Sequence, residues 1–347
     1  ISSDRHRTYD NFVLLDYDQF ASSPKQLILR ECRGLVLDES DDWSIVSRGF
    51  DRFANYGESW AADIDWASAC VQEKVDGTLI VAYWYGDRWN VATRGVADAS
   101  GPVSSSPFAP KTYAEYFWTA ATSCGLSLDT DVCRDLCFMF ELSGQFNRIV
   151  VRHQRPQITI LGARNRKSGK ELLPRVAAEA MNADASLCVR SYPLQTIEDI
   201  LATFSGFSPL EQEGYVVVDA SFKRVKVKHP GYVRMHHLKG RCAGLRALVE
   251  IVRNGEISEV VSAFPEYELQ LQDISSRLCS AVSTSETDYE TIAQTESDKE
   301  FALLALKTKH PHVLFALRRK KAANAREFFA NAHVDHLLSQ LGYRLTE

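Results

Sequence analysis

Residues 73–94 read EKVDGTLIVAYWYGDRWNVATR, and this stretch decides the class of fold. Leu79 to Tyr85 is a run of apolar, β-branched and aromatic residues. Gly86-Asp87 is a turn pair, and Arg88 to Arg94 resumes the β-rich pattern. The reading is strand, tight turn, strand. Directly before it stands Glu73-Lys74-Val75-Asp76-Gly77, a charged segment with a lysine near its head. Taken alone, K-x-D-G arises by chance in a chain this long about one time in ten, from background residue usage. Its weight comes from what surrounds it.

Further strands are expected at Phe138 to Leu142, Arg148 to Arg152 and Gln157 to Ala163, with turn chemistry at Asn165 to Gly169. Gly214 to Asp219 and Phe222 to Lys228 form a last pair around a short polar turn. Helices are predicted over Lys111 to Cys124, Glu171 to Asn182 and Thr196 to Phe204. After about Gly240 the character changes. The segments Ala243 to Arg253, Glu266 to Val282, Thr287 to Lys307 and Ala322 to Leu341 are helix-length, and Leu269, Ile274, Leu278 and Val282 recur at helical spacing. The expected division is an α+β domain of antiparallel sheets with flanking helices over residues 1–240, then an all-α domain over 241–347.

The chain has 347 residues, 45% hydrophobic and 24% charged, which excludes a disordered, collagen-like or coiled-coil protein. No apolar run reaches the roughly 18 residues of a membrane helix, so no membrane association is expected. Ile1-Ser2-Ser3-Asp4-Arg5 begins no apolar signal core. Lys plus Arg is 40 against 45 for Asp plus Glu, a net charge of −5, so a nucleic-acid site has to be a local basic patch. The eight cysteines (32, 70, 124, 133, 137, 188, 242 and 279) include no CxxC pair and make no disulfide-dense framework. Cys133 and Cys137 read as buried thiols, and a reducing cytoplasm is the expected compartment.

Downstream of Lys74 lie Phe140-Glu141-Leu142, Glu213-Gly214-Tyr215-Val216-Val217 and Lys226-Val227-Lys228, each at a strand or strand edge. A lysine, two separated acids and a lysine pair in this order suit one cleft of a curved sheet. A lysine nucleophile needs cationic neighbours and desolvation. Displacing pyrophosphate needs cationic clamps and a divalent ion, and carboxylates such as Glu141 and Glu213 hold a ribose hydroxyl and a metal.

In order and spacing these blocks resemble the covalent nucleotidyltransferase superfamily, with its ATP-grasp-like ligase domain. Finer blocks narrow the branch: Glu31-Cys32-Arg33-Gly34, Ser47-Arg48, Asp51-Arg52-Phe53-Ala54-Asn55, Phe146 to Val150, and Lys228-His229-Pro230-Gly231-Tyr232-Val233. From about Tyr9 to Leu238 the chain resembles the RNA ligases typified by the first RNA ligase of bacteriophage T4. The resemblance implies an ATP-dependent seal through a lysyl-AMP on Lys74 and an RNA-adenylate, joining RNA 5′-phosphate and 3′-hydroxyl ends, as in RNA or tRNA repair. It implies ATP and Mg²⁺ or Mn²⁺ as cofactors. Lys74, Lys226 and Lys228 become the catalytic lysines. Glu73, Asp76, Gly77, Arg33, Arg48, Arg52, Arg94, Glu141 and Tyr232 join them as ATP-binding residues, with Glu213 and Glu141 at the metal. Arg52 and Arg94 stand where relatives carry Lys, and a guanidinium fork is not an ammonium. Nicked tRNA is a candidate substrate, and an end-healing kinase or phosphatase a candidate partner.

Competing readings are a GTP-dependent capping enzyme or a DNA ligase, whose core is usually followed by an OB-fold, and a catalytically silent RNA-binding relative. Lys223, Arg224, Lys226, Lys228, Arg234, Lys239 and Arg241, with His229, His236 and His237, make the best phosphate-tracking surface. Arg318-Arg319-Lys320-Lys321 reads as a solvated helix face, His333 and His336 as structural, and Trp84 and Trp89 as packing residues.

Overall fold

A computed structural model describes residues 2–5, 9, 11–17, 25–104, 108–128, 132–241, 244–255 and 257–343. Cys242 lies outside them, as do the side chains of His237 and Arg241. The chain divides into two compact units, Ile1–Arg234 and Met235–Glu347.

Among its described residues the first unit holds thirteen strands in chain order. They are β1 (Ser2–Arg5), β2 (Phe12–Asp16), β3 (Arg33–Asp38), β4 (Ser44–Ser47), β5 (Cys70–Lys74), β6 (Thr78–Tyr85), β7 (Arg88–Ala92), β8 (Leu136–Ser143), β9 (Gln157–Asn165), β10 (Glu171–Leu172), β11 (Ser191–Tyr192), β12 (Gly214–Val218) and β13 (Arg224–Lys228). They form three antiparallel sheets of order β1-β2-β3-β4, β10-β9-β8-β6-β7 and β11-β5-β12-β13. The middle sheet is covered on both faces, which explains why β6 is a continuous apolar run. Val81 and Tyr83 pack on Phe12, Leu14 and Val36 of the first sheet. Ile80, Ala82 and Trp84 face the other way, toward Tyr116, Phe117 and Ala177. Those three belong to helices α2 (Tyr113–Ser123) and α3 (Pro174–Ala180); α1 (Leu27–Glu31) precedes β3. Trp84 and Trp89 meet edge to face with centroids 5.7 Å apart inside this core, as packing residues. The third sheet buries Val71, Tyr215, Val217, Val225 and Val227 on one face. Helix α4 (Ile197–Thr203), closed by a capping box between Thr196 and Asp199, covers that face with Ile200.

Two expectations in this unit are corrected. Arg148 to Arg152 is not a strand but an irregular segment, because the Val150 and Val151 amides donate to the Asp76 carboxylate instead of to a ladder. The helix expected from Glu171 starts only at Pro174, which lacks the amide needed inside a helix and sits in the first turn. Glu171 and Leu172 pair with β9 instead.

Helix α5 (Pro230–Arg241) follows β13, where the sequence pattern predicts no helix. The second unit is helical: α6 (Leu245–Arg253), α7 (Ile257–Ala263), α8 (Glu268–Ile292), α9 (Asp298–Ala305), α10 (Pro311–Arg318), α11 (Ala325–Asn331) and α12 (Val334–Gln340). Among its described residues there is no strand. Leu248, Phe264, Leu271, Phe301, Leu314 and Leu337 share its core. The single helix expected over 287–307 is two, because Ser297 caps α9 by accepting from the Glu300 amide. The helix expected over 322–341 is likewise split between Asn331 and Val334. Arg318 is no solvated residue: it donates to the carbonyls of Ala293 and Thr295, closing the end of α8. Cys133 is exposed and Cys137 buried, and both are free thiols. No helix among the described residues is long and apolar enough to cross a membrane.

Candidate active site

Two strands of the third sheet, β5 and β13, carry the lysines to one place across β12 between them. Gly214 on β12 lies opposite Lys74 on β5 and opposite Lys228 on β13. Two residues along, Val216 lies opposite Gln72 and Lys226. Alternate residues share a face, so Gln72, Lys74, Val216, Lys226 and Lys228 all line one cleft while their neighbours fill the core behind. Gly214 has φ of +145°, and a Cβ there would lie 2.3 Å from the Val227 carbonyl oxygen, so only glycine lets β13 approach.

Glu213, 2% exposed, is the centre of charge. It accepts from Lys74 Nζ through Oε2 at 2.7 Å and faces Lys228 Nζ through Oε1 at 2.9 Å. Burial works to neutralise Lys74, but the Glu213, Glu141 and Asp76 carboxylates outweigh it and hold the ammonium. Glu141 projects from β8, which pairs with β6 and β9, and burial raises its carboxyl to about 8 despite Lys74 and Arg33 nearby. Lys226 lies over the Phe53 ring at 4.7 Å and has the opposite problem. Burial, together with Arg33, Lys74 and Lys228, lowers it to about 7.

That crowding has a measurable consequence. A lysine whose folded pKa is depressed binds fewer protons than the unfolded chain between about 7 and 10.5. The cost is therefore complete below pH 7 and disappears as pH rises toward 10.5. Lys226→Met is expected to raise the thermal midpoint of the ligand-free protein at pH 6.5, by a gain of about 2–4 kcal/mol. The gain should shrink by pH 9.5. Equal melting temperatures at pH 6.5 would refute the repulsion.

The loop after Lys74 is pinned from behind. Asp76 is 3% exposed, and its Oδ2 accepts from the Val150 and Val151 amides at 2.8 and 2.7 Å. Its Oδ1 accepts from the Tyr232 hydroxyl at 2.8 Å, and His153 Nε2 sits 3.0 Å from the Asp76 carbonyl oxygen. Burial and the Glu213 and Asp76 carboxylates keep the Tyr232 phenol protonated, as this bond requires. Gly77 passes so close to β8 that a Cβ would meet the Leu142 carbonyl oxygen at 2.4 Å. Asp76 and Tyr232 thus act on the loop after Lys74 from outside the cleft. Glu73 lines the cleft, but its carboxylate is met by the Tyr192 hydroxyl at 3.4 Å.

Of the expected arginines, Arg33 lines the cleft. Arg52 and Arg94 both lie over a residue that sequence reasoning missed: their guanidinium carbons lie 4.2 and 4.3 Å from the Tyr17 ring centroid. Tyr17 also hydrogen-bonds Arg33. Arg94 is fixed by both Asp16 carboxylate oxygens at 3.0 Å. Arg48 is not in this group; it pairs with Glu31. Arg224, paired with Glu171 at 2.7 Å and lying over Phe50 at 4.5 Å, lines the far end of the cleft among Phe50, Leu161 and Val216.

The cleft is therefore cationic at one end and apolar at the other. Lys228 and Arg224 are four residues apart on one strand, roughly 13 Å, and Arg224, paired with Glu171, stands among the apolar side chains of the far end. Among the described residues no cluster of three or more His, Cys, Asp or Glu is placed to hold a metal. Glu141 and Glu213 suit instead an ion that arrives with phosphates, the usual mode for Mg²⁺. His333 occupies the position before α12 without a side-chain capping bond and belongs to no such cluster among the described residues.

A family model described as RNA ligase matches residues 31–232, more than half of the chain, and spans every residue of this cleft. The chain belongs to the RNA ligase family. A protein of Autographa californica nuclear polyhedrosis virus, named as a bifunctional polynucleotide kinase/RNA ligase, is 28% identical over 279 residues. The match covers 75% of this chain but only 38% of that protein. The RNA ligase of Rhodothermus phage RM378 is 25% identical over 328 residues, covering 78% of this chain and 74% of the phage protein. Among solved structures, an archaeal ATP-dependent RNA ligase aligns over 86% of this chain and 71% of its own, at 13% identity and a TM-score of 0.44.

Proposed function

We propose that this chain is an ATP-dependent RNA ligase acting through a lysyl-AMP at Lys74. The observation that carries the reading is the clamp of Glu213 between Lys74 and Lys228, at 2.7 and 2.9 Å, in a cleft that also holds Lys226, Glu141 and Arg33. Lys74 Nζ, once deprotonated, attacks the α-phosphorus of ATP. The N–P bond forms as the bond to the bridging oxygen breaks, and pyrophosphate leaves with its charge met by Lys226, Lys228 and Arg33. A 5′-phosphate oxygen of RNA then displaces Lys74 to give the RNA-adenylate. A 3′-hydroxyl attacks the activated 5′-phosphorus, forms the phosphodiester and releases AMP.

Glu141 and Glu213 would hold a divalent ion that offsets their charge and polarises the α-phosphate. Glu213 keeps Lys74 protonated, so the nucleophile is held as an ion pair. Asp76, Gly77 and Tyr232 fix the loop that aims it.

The substrate class is RNA with 5′-phosphate and 3′-hydroxyl ends, nicked tRNA among the candidates. The viral relative is named for a kinase as well as a ligase, and an activity of that kind would prepare the ends. The helical domain over 241–347 is proposed to select the RNA, and a reducing cytoplasm to be the working compartment. The all-helical reading of the second unit speaks against a capping enzyme or DNA ligase, in which an OB-fold follows the core.

The test is a 5′-phosphorylated linear oligoribonucleotide with Mg²⁺ and either ATP or GTP. Circular or joined product resistant to phosphatase, with ATP only, is the expected result. Product with GTP instead, or sealing of DNA alone, would overturn the reading.

A further inference from the structure

A second groove opens beside the nucleotide cleft and shares Phe53 and Arg224 with it. Arg30, Arg52, Trp60 and Lys223 form its floor and rim. The guanidinium carbons of Arg30 and Arg52 lie 5.2 and 5.4 Å from the Trp60 ring centroid, so three flat surfaces are assembled together. The acids along this groove are already neutralised within the protein. Glu31 is held by Arg48, Asp51 by Arg164 at 2.7 Å, and Glu171 by Arg224 at 2.7 Å. Arg52 Nη1 is buried and has no acceptor among the described residues, and Lys223 is exposed on the rim. An orphaned guanidinium N–H beside stacked planes and an exposed ammonium calls for a ligand with both phosphate oxygens and flat bases.

We infer that this groove seats a single-stranded RNA nucleotide next to the reacting end, with the base on the Trp60–Arg30 surface and the phosphate on Arg52 and Lys223. Basic grooves interleaved with aromatic rings bind single strands in this way. The inference rests on the RNA ligase reading and reassigns Arg52, which the resemblance gives to ATP, to the RNA. It also accounts for a guanidinium at this position, since a fork makes phosphate bonds that an ammonium cannot. Exposed Leu27 and Ile28 nearby make a protein segment the competing occupant.

The test measures binding of a fluorescent 5′-phosphorylated single-stranded oligoribonucleotide to the full chain, alongside lysyl-adenylate formation from ATP alone. Trp60→Ala is expected to weaken RNA binding about tenfold or more, the loss of one stacked base, and Trp60→Phe to restore most of it. Lys223→Glu should weaken binding and lower the salt slope of the RNA affinity by about one. All three should form lysyl-adenylate as the unmodified chain does. Unchanged RNA affinity and salt slope in Trp60→Ala and Lys223→Glu would overturn the inference and leave the groove to a protein. Loss of adenylation in step with RNA binding would also overturn it, by making the groove part of the nucleotide site. Failure of the unmodified chain to adenylate, with RNA binding still dependent on Trp60, would instead count against the ligase reading alone.

Discussion

Lys74→Ala is expected to eliminate lysyl-adenylate formation and RNA sealing, by at least about ten-thousandfold, the scale seen when a covalent nucleophile is removed. The other two lysines of the cleft are placed differently. Lys228 is held on the far oxygen of Glu213, and Lys226 lies over Phe53. The variant should nevertheless fold. Lys74 sits at the end of β5 with its side chain in the cleft, and its removal leaves Glu213 still paired with Lys228. Given RNA already carrying a 5′-adenylate, the variant should still seal, because that step makes no use of the Lys74–phosphorus bond. Retained label on Lys74→Ala after incubation with α-labelled ATP would refute the assignment.

The second large effect is expected at Asp76, which is not among the side chains lining the cleft. Asp76→Ala strands two backbone amides and the Tyr232 hydroxyl in a buried site. Each unmet buried donor costs about 1–3 kcal/mol, so a loss of roughly 3–5 kcal/mol in unfolding free energy is predicted from denaturant melts. Adenylation should fall with it, because the loop that aims Lys74 is freed. Tyr232→Phe removes only one of the three donors, leaves the amides paired, and should cost about 1 kcal/mol. If Asp76→Ala melts like the unmodified chain, the latch is not what holds the loop.

Much of this site was legible because its residues carry side-chain chemistry in a fixed order. Lys74, Glu141, Glu213, Lys226 and Lys228 stood out as charges in or beside apolar strands, where a charge needs a reason. The latch was not legible. Its donors at Val150 and Val151 are backbone amides of two apolar residues 74 and 75 positions from Asp76, so the segment read as a strand. Tyr17 is one tyrosine among 13, and nothing local announces that three arginines gather on it. The short strands of the first sheet fell below what periodicity resolves. In the helical unit the apolar spacing was clear but its interruptions were not. Ser297 and Asn324 set helix starts through single capping bonds to Glu300 and Glu327, and such polar residues are equally at home on a helix surface.

The central claim is a covalent bond between Lys74 and AMP. The direct measurement is to incubate the full chain with ATP and Mg²⁺, digest it, and locate the added AMP by mass spectrometry. The predicted result is a single acid-labile AMP on the peptide containing Lys74, discharged when 5′-phosphorylated RNA is added. AMP on any other residue, or none on protein that is folded and free of prior adenylate, would contradict it.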